Sequence, residues 1–254
     1  MFELGVCGSI NQAPTLAAAG VDYLEENVQA FLAPEKDGLT FTAAALPISA
    51  ACCFLPGALK CVGPVVDAPR LLRYGETAFR RARDAGIEII VFGSGGARTF
   101  PDGWTRERAR EQFIDALRQL GPLAQKHSVT IVVEPLNRAE CNFINSLAEG
   151  ANVVRAAAHP NVRLLADAYH MLRDGESYDE ILKHGALLRH AHLAENSNRA
   201  APGVNGEDFR PFFRALARVG YQGRVSIECS WKNFEVELPA ALACLRQQLA
   251  EVTG

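Results

Sequence analysis

Residues 129–140 read V-T-I-V-V-E-P-L-N-R-A-E, and the first six decide the fold. They form a short, nearly continuous apolar run rich in β-branched residues that stops at an acid. A strand that alternates apolar and polar residues has one wet face. A continuous run is covered on both faces, as in a parallel sheet with helices packed over it. Upstream, over 106–127, Ala109, Phe113, Ala116, Leu117, Leu120, Leu123 and Ala124 recur at helical spacing, with Arg and Glu on the opposite face.

The same pairing of strand and helix runs outward in both directions. Further strands are predicted over 4–7, 23–25, 48–52, 87–92, 163–167, 188–193 and 225–229, which with 129–134 makes eight. Helical patterns cover 71–85, 106–127, 147–158, 178–184, 209–219 and 235–251. Pro14 and Pro69 fall where first-turn prolines are tolerated, and Gly86 and Gly220 close helices ahead of a strand. The weakest unit is 27–46, where Pro34 and Gly38 leave room only for a short helix. Repeated βα units imply a parallel sheet, and eight of them favour closure into a single (β/α)₈ TIM barrel over 1–254. The alternative, an open doubly wound sheet, needs a phosphate-binding turn. Gly93-Ser94-Gly95-Gly96 lacks the G-x-G-x-x-G form, so these glycines read as a tight loop at the barrel mouth.

Composition narrows the class of protein. The 254 residues are 48% apolar with a net charge of −3, and Lys and Arg are dispersed, which argues against a nucleic-acid partner. Seven cysteines without a C-x-x-C pair read as reduced thiols rather than a disulfide framework or a zinc finger. The first residues lack a signal-peptide pattern and no run is long enough for a membrane span, so a cytoplasmic location with no membrane partner is expected. Self-association into a homo-oligomer is left open.

Barrel enzymes take their chemistry from the C-terminal ends of the strands. Four successive predicted strands end at Glu134, Asp167, His192 and Glu228. Any one acid at a strand end reads as a helix cap or a surface charge. Three carboxylates converging on one low-dielectric mouth would repel, and a cation removes that cost. Three carboxylates and an imidazole suit one divalent metal ion, Mn²⁺, Co²⁺ or Mg²⁺ before Zn²⁺.

The segments E-P-L-N-R-A-E (134–140), D-A-Y-H-M (167–171) and H-L-A-E-N-S-N-R (192–199) followed by P-G (202–203) resemble motifs of the sugar phosphate isomerase/epimerase family. That family has a xylose-isomerase-like barrel and includes the ketose 3-epimerases. The resemblance implies that Glu134 and Glu228 are catalytic acid/base groups as well as metal ligands, and that Glu140, His170 and Arg199 bind substrate hydroxyls. It implies an isomerase or epimerase acting on a small carbohydrate through an enediolate, or an inosose-type dehydratase or hydroxypyruvate-type isomerase on the same site. Two readings of another class compete. An abasic-site endonuclease would need a histidine-rich three-metal cluster that these strand ends do not supply, and a non-catalytic sugar-binding barrel would not need two glutamates facing one metal.

Other residues carry weaker signals. His190 shares a face with His192 and reads as a deeper barrel-lining residue or as a partner behind the ligands, lining being preferred. His127, His159 and His184 read as surface histidines. Trp231 and Phe54 could wall a pocket or simply pack. Lys60 and Arg98, on mouth loops, read as anion ligands or as solvated charges.

Overall fold

The computed structural model describes residues 2–253; Met1 and Gly254, the ends of the expected 1–254 domain, lie outside the described residues. Eight strands pair in chain order into a closed parallel barrel: β1 (Glu3–Cys7), β2 (Tyr23–Asn27), β3 (Ile48–Cys52), β4 (Ile89–Phe92), β5 (Thr130–Val133), β6 (Val162–Asp167), β7 (Leu188–Leu193) and β8 (Arg224–Ile227). Closure is direct. β8 pairs back onto β1 from Glu3↔Arg224 to Val6↔Ile227, which removes the open-sheet alternative.

The helices are α1 (Ala13–Ala18), α2 (Ala68–Ala85), α3 (Gly95–Arg98), α4 (Arg106–Lys126), α5 (Leu147–Ala157), α6 (Ala168–Arg173), α7 (Asp179–His184), α8 (Arg210–Arg218) and α9 (Phe234–Thr253). Local sequence sets their ends. The Asp67 side chain accepts from the Arg70 N–H to start α2, with Pro69 inside the first turn, and Gly86 at φ 81° ends it. Thr105 and Ser146 cap α4 and α5 in the same way. In the unit after β2, one π-helical turn (Val28–Leu32) replaces a full helix, capped by Asn27 and stopped by Ala33 in the left-handed region. Among the described residues no helix is long and apolar enough to cross a membrane.

Two cores result from the two faces of each strand. The larger lies between barrel and helices. The smaller fills the inside of the barrel with Tyr23, Ala50, Cys52, Ile89, Val91, Val132 and Leu165. A Cβ on Gly5 would stand 2.2 Å from the Tyr23 ring, so the absent side chain on β1 is what admits that ring from β2. Side chains two residues further along each strand face the same interior and reach the mouth.

Candidate active site and metal centre

Two residues beyond the interior positions Val132, Leu165, His190 and Ser226 come Glu134, Asp167, His192 and Glu228. Asp167 ends β6 and His192 lies within β7. Glu134 and Glu228 fall one residue past β5 and β8, but their N–H groups still donate along the ladder, to Phe92 O at 3.4 Å and Leu193 O at 3.0 Å. One donor atom from each of the four lies within 4.8 Å of the others. His192 Nδ1 stands 3.2 Å from Glu134 Oε1 and 3.3 Å from Glu228 Oε2. Adjacent ligands of an octahedral ion with bonds of about 2.1 Å sit about 3 Å apart, so these spacings suit a hard divalent cation.

Buried polar atoms are almost always hydrogen-bonded. Here Glu134 Oε1, Asp167 Oδ2 and His192 Nδ1 are buried without a hydrogen-bond partner, and all three belong to the same cluster. Asp167 divides its work: Oδ1 accepts from the Tyr169 N–H at 2.7 Å and caps α6, leaving Oδ2 for the centre. Gly93, the inward position after β4, is there for space. A Cβ would lie 2.1 Å from Glu134 Oε2, and Gly93 is not among the residues at positive φ, so volume rather than backbone conformation demands glycine. The donor set fits one divalent metal ion.

Sequence reasoning missed Glu25. Fully buried on β2, it accepts from His192 Nε2 at 3.0 Å and His190 Nε2 at 2.7 Å, and from Ser226 Oγ at 2.5 Å, while Tyr23 Oη donates to Ser226 at 2.7 Å. Because an ionised carboxylate can only accept, Glu25 holds a proton on His192 Nε2, and Nδ1 is the nitrogen turned toward the centre. His190 lines the barrel as expected, and its contact is to Glu25 rather than to a ligand. The available signal was the acid pair in Y-L-E-E-N, at the end of a strand on the half of the barrel where no other acid stood out.

Electrostatics follow from this crowding. Burial, helped by the charge of Glu228 and only partly offset by His192, raises the Glu134 carboxyl above its ordinary range. Burial works against Glu228 as well, but His192 and Arg199 outweigh it and hold the carboxyl at about 2. His192 is pushed down by burial and lifted further by Glu25, Glu228 and Glu134, so its pKa lies well above the usual value. Burial lowers His190, and Glu25, although buried, is held well below the carboxylate range by the two histidines. The carboxylates favour positive charge at their centre, and a metal ion there would compete with the proton on His192.

Beside the centre opens a cavity of about 330 Å³ whose walls include Glu140, His170 and Arg199 with Glu134 and Glu228. A groove of similar size on the outer wall, bounded by Phe31, Phe41 and Asp84, includes none of these donors. Arg199 donates through Nε to the Glu228 backbone oxygen at 3.0 Å and through Nη2 to its carboxylate, reaches Glu140 at 3.5 Å, and stacks 4.7 Å from the Tyr169 ring. Asn198 and Arg199 both take left-handed backbone (φ 59° and 49°) to aim that side chain inward. The fully buried Glu195 carboxylate anchors the loop by accepting from the N–H groups of Gly203 and Asn205. The Asn137 N–H donates to His170 Nδ1 at 3.2 Å, so the His170 proton is on Nε2, which lies 3.5 Å from Asp167 Oδ2. Glu140 accepts from Asn137 Nδ2 at 2.9 Å.

Arg98 and His127 depart from the weaker expectations, while Lys60, Phe54 and Trp231 take one of the two roles read for each. Arg98 is neither solvated nor facing the cavity: it is fully buried and donates to Phe92 O and Glu134 O, bracing the turn that carries Glu134. His127 is buried too, against Glu76, because α4 packs that edge on α2. Lys60 donates to Gly96 O at 2.5 Å. Phe54 packs among Tyr74, Phe79 and Phe92, and Trp231 packs edge-on against Phe234; neither lines the cavity.

A closed parallel barrel with a ring of metal-competent groups at the C-terminal ends of its last four strands defines the class. The family model for the xylose isomerase-like TIM barrel matches residues 14–248, and the chain belongs to that family. An L-ribulose 3-epimerase of Methylomonas sp. (strain DH-1) is 27% identical over 191 residues, covering 65% of this chain and 64% of that protein. A 3-dehydro-D-guloside 4-epimerase of Escherichia coli (strain K12) is 30% identical over 192 residues, 72% of each chain. Thus the chain spans about two thirds of the length of these relatives. The crystal structure of an E. coli 3-keto-D-glucoside 4-epimerase superposes with a TM-score of 0.83 at 23% identity, over 97% of this chain and 100% of that one, a likeness of fold.

Proposed function

We propose that this protein is a metal-dependent epimerase or isomerase of a small, uncharged ketose or related carbohydrate. One observation carries the proposal: three buried donor atoms without partners, with Glu228 beside them, converge at the edge of a sugar-sized cavity. Glu134, Asp167, His192 and Glu228 would hold one divalent ion, which when bound supplies Lewis acidity toward a substrate carbonyl and its neighbouring hydroxyl. The relatives named above are sugar epimerases, which supports the same reading.

The chain's own residues then divide the work. One of Glu134 and Glu228 takes the proton next to the carbonyl and the other returns one. Return to the same carbon with inversion is epimerisation, and return to its neighbour is isomerisation. Glu140, His170 and Arg199 bind and orient hydroxyls across the cavity. Arg199 is the one permanent cation among the described residues lining it and is already paired with Glu228 and Glu140, so the cavity favours a neutral sugar over a phosphate or carboxylate.

The test is turnover of ketoses, inososes and hydroxypyruvate in ²H₂O with Mn²⁺ added. Deuterium on the carbon next to the carbonyl of a ketose is expected, with one ion bound per chain. Product free of solvent deuterium at full turnover would replace the two-glutamate mechanism by a hydride shift, and turnover of hydroxypyruvate alone would overturn the substrate class.

A further inference from the structure

The side of the mouth opposite β5 and β6 carries sulfur. Cys7 ends β1, Cys52 ends β3, and Cys52 and Cys53 line the cavity. The Sγ atoms of Cys7 and Cys52 and a carboxylate oxygen of Glu228 lie within 4.8 Å of one another. A disulfide does not explain this pairing. β2 stands between the two strands: Cys7 pairs with Glu25, and Glu25 with Ala50, two residues short of Cys52. Strands about 4.8 Å apart put these Cα atoms on the order of 9 Å or more from each other, beyond the roughly 7 Å that a disulfide can span. A cation can bridge the gap. With metal–sulfur bonds of about 2.3 Å, the ligands of a tetrahedral ion lie about 3.8 Å apart, so the three donors need close by only about 1 Å.

We propose that Cys7, Cys52 and Glu228 form a binding site for a thiophilic divalent cation of the Zn²⁺ or Cd²⁺ class, separate from the hard-donor centre but sharing Glu228 with it. Two sulfurs and one carboxylate select a softer ion than three carboxylates and an imidazole do, which separates the two sites by chemistry. The ion enters through the cavity that Cys52 lines. Two metal–sulfur bonds form, the two thiol protons pass to solvent, and no electron is transferred. Occupancy draws the Glu228 carboxylate toward the thiols and inhibits turnover, a consequence that rests on the acid/base role proposed for Glu228.

Titration of the Mn²⁺-loaded protein with Cd²⁺, followed by thiolate-to-cadmium charge-transfer absorption in the ultraviolet, tests the site without measuring activity. One equivalent of Cd²⁺ should develop the band in the unaltered protein. Cys7→Ser and Cys52→Ser should each lose it while keeping one Mn²⁺ per chain, which shows that they fold. Cys244→Ser, altered on α9, should retain it. Absence of the band in the unaltered protein, release of Mn²⁺ without a band, or persistence of the band in both serine variants would overturn the site. A band in a protein that turns over no sugar would leave this inference standing while the proposed function falls, and the reverse pattern would do the opposite.

Discussion

The two halves of the barrel mouth are built to one geometry and opposite chemistry. β5 to β8 deliver Glu134, Asp167, His192 and Glu228, three carboxylates and an imidazole, to one cluster. At the corresponding inward positions, β1 to β4 deliver Cys7, Glu25, Cys52 and Gly93. The first half concentrates negative charge in a low-dielectric site, which favours a cation at its centre. The second half supplies what that arrangement lacks. Glu25 fixes the His192 tautomer from below, Gly93 leaves room for the Glu134 carboxylate, and the small thiols leave the cavity open. The donor ring on one side of the barrel therefore depends on residues across from it for its tautomer and its space.

The largest expected effect lies in the donor half. Glu134→Gln or Glu228→Gln, assayed at saturating Mn²⁺, should lower turnover on the order of 10²–10⁴-fold, the usual worth of a general acid or base. Steady-state rates within a few-fold of the parent, with metal still bound, would remove that residue from the chemistry.

Gly93→Ala probes the space that the other half provides. A Cβ placed 2.1 Å from Glu134 Oε2 must push the carboxylate aside, while the next contacts, at 3.3 and 3.5 Å, are bearable. A misplacement of about 1 Å can cost about 10²-fold in rate, so turnover should fall by about that much with the thermal midpoint little changed. Equal activity in the alanine variant would mean that the carboxylate has no need of that position.

Glu25→Gln asks whether the support beneath the ring matters. The amide keeps the shape but can also donate, so it no longer imposes an N–H on His192 Nε2. Mn²⁺ affinity, measured by calorimetric titration, should weaken about 10–100-fold, as for other changes beneath metal ligands. Unaltered affinity would make the half that bears Glu25 a spacer only and dissolve the contrast between the two.

Sequence by itself determined the barrel class and picked out the four strand-end residues that the fold gathers on one side of the mouth. Continuous apolar runs separated by amphipathic helices mark strands buried on both faces, and a strand's period of two fixes which end residue points inward, so Glu134, Asp167, His192 and Glu228 could be picked out before any coordinates. Tertiary structure decided what depends on which strands become neighbours. Glu25 and His192 are 167 residues apart and meet only because they face one another inside the barrel, and the Glu25 carboxylate looks like any strand-end acid until two histidines and Ser226 close on it. Arg98 looks like a loop charge in sequence and becomes a buried brace because α3 turns it under the Glu134 carbonyl. Periodicity is a local property carried by the chain, whereas the pairing of buried polar groups is settled by closure, when every such group must find a partner or an ion.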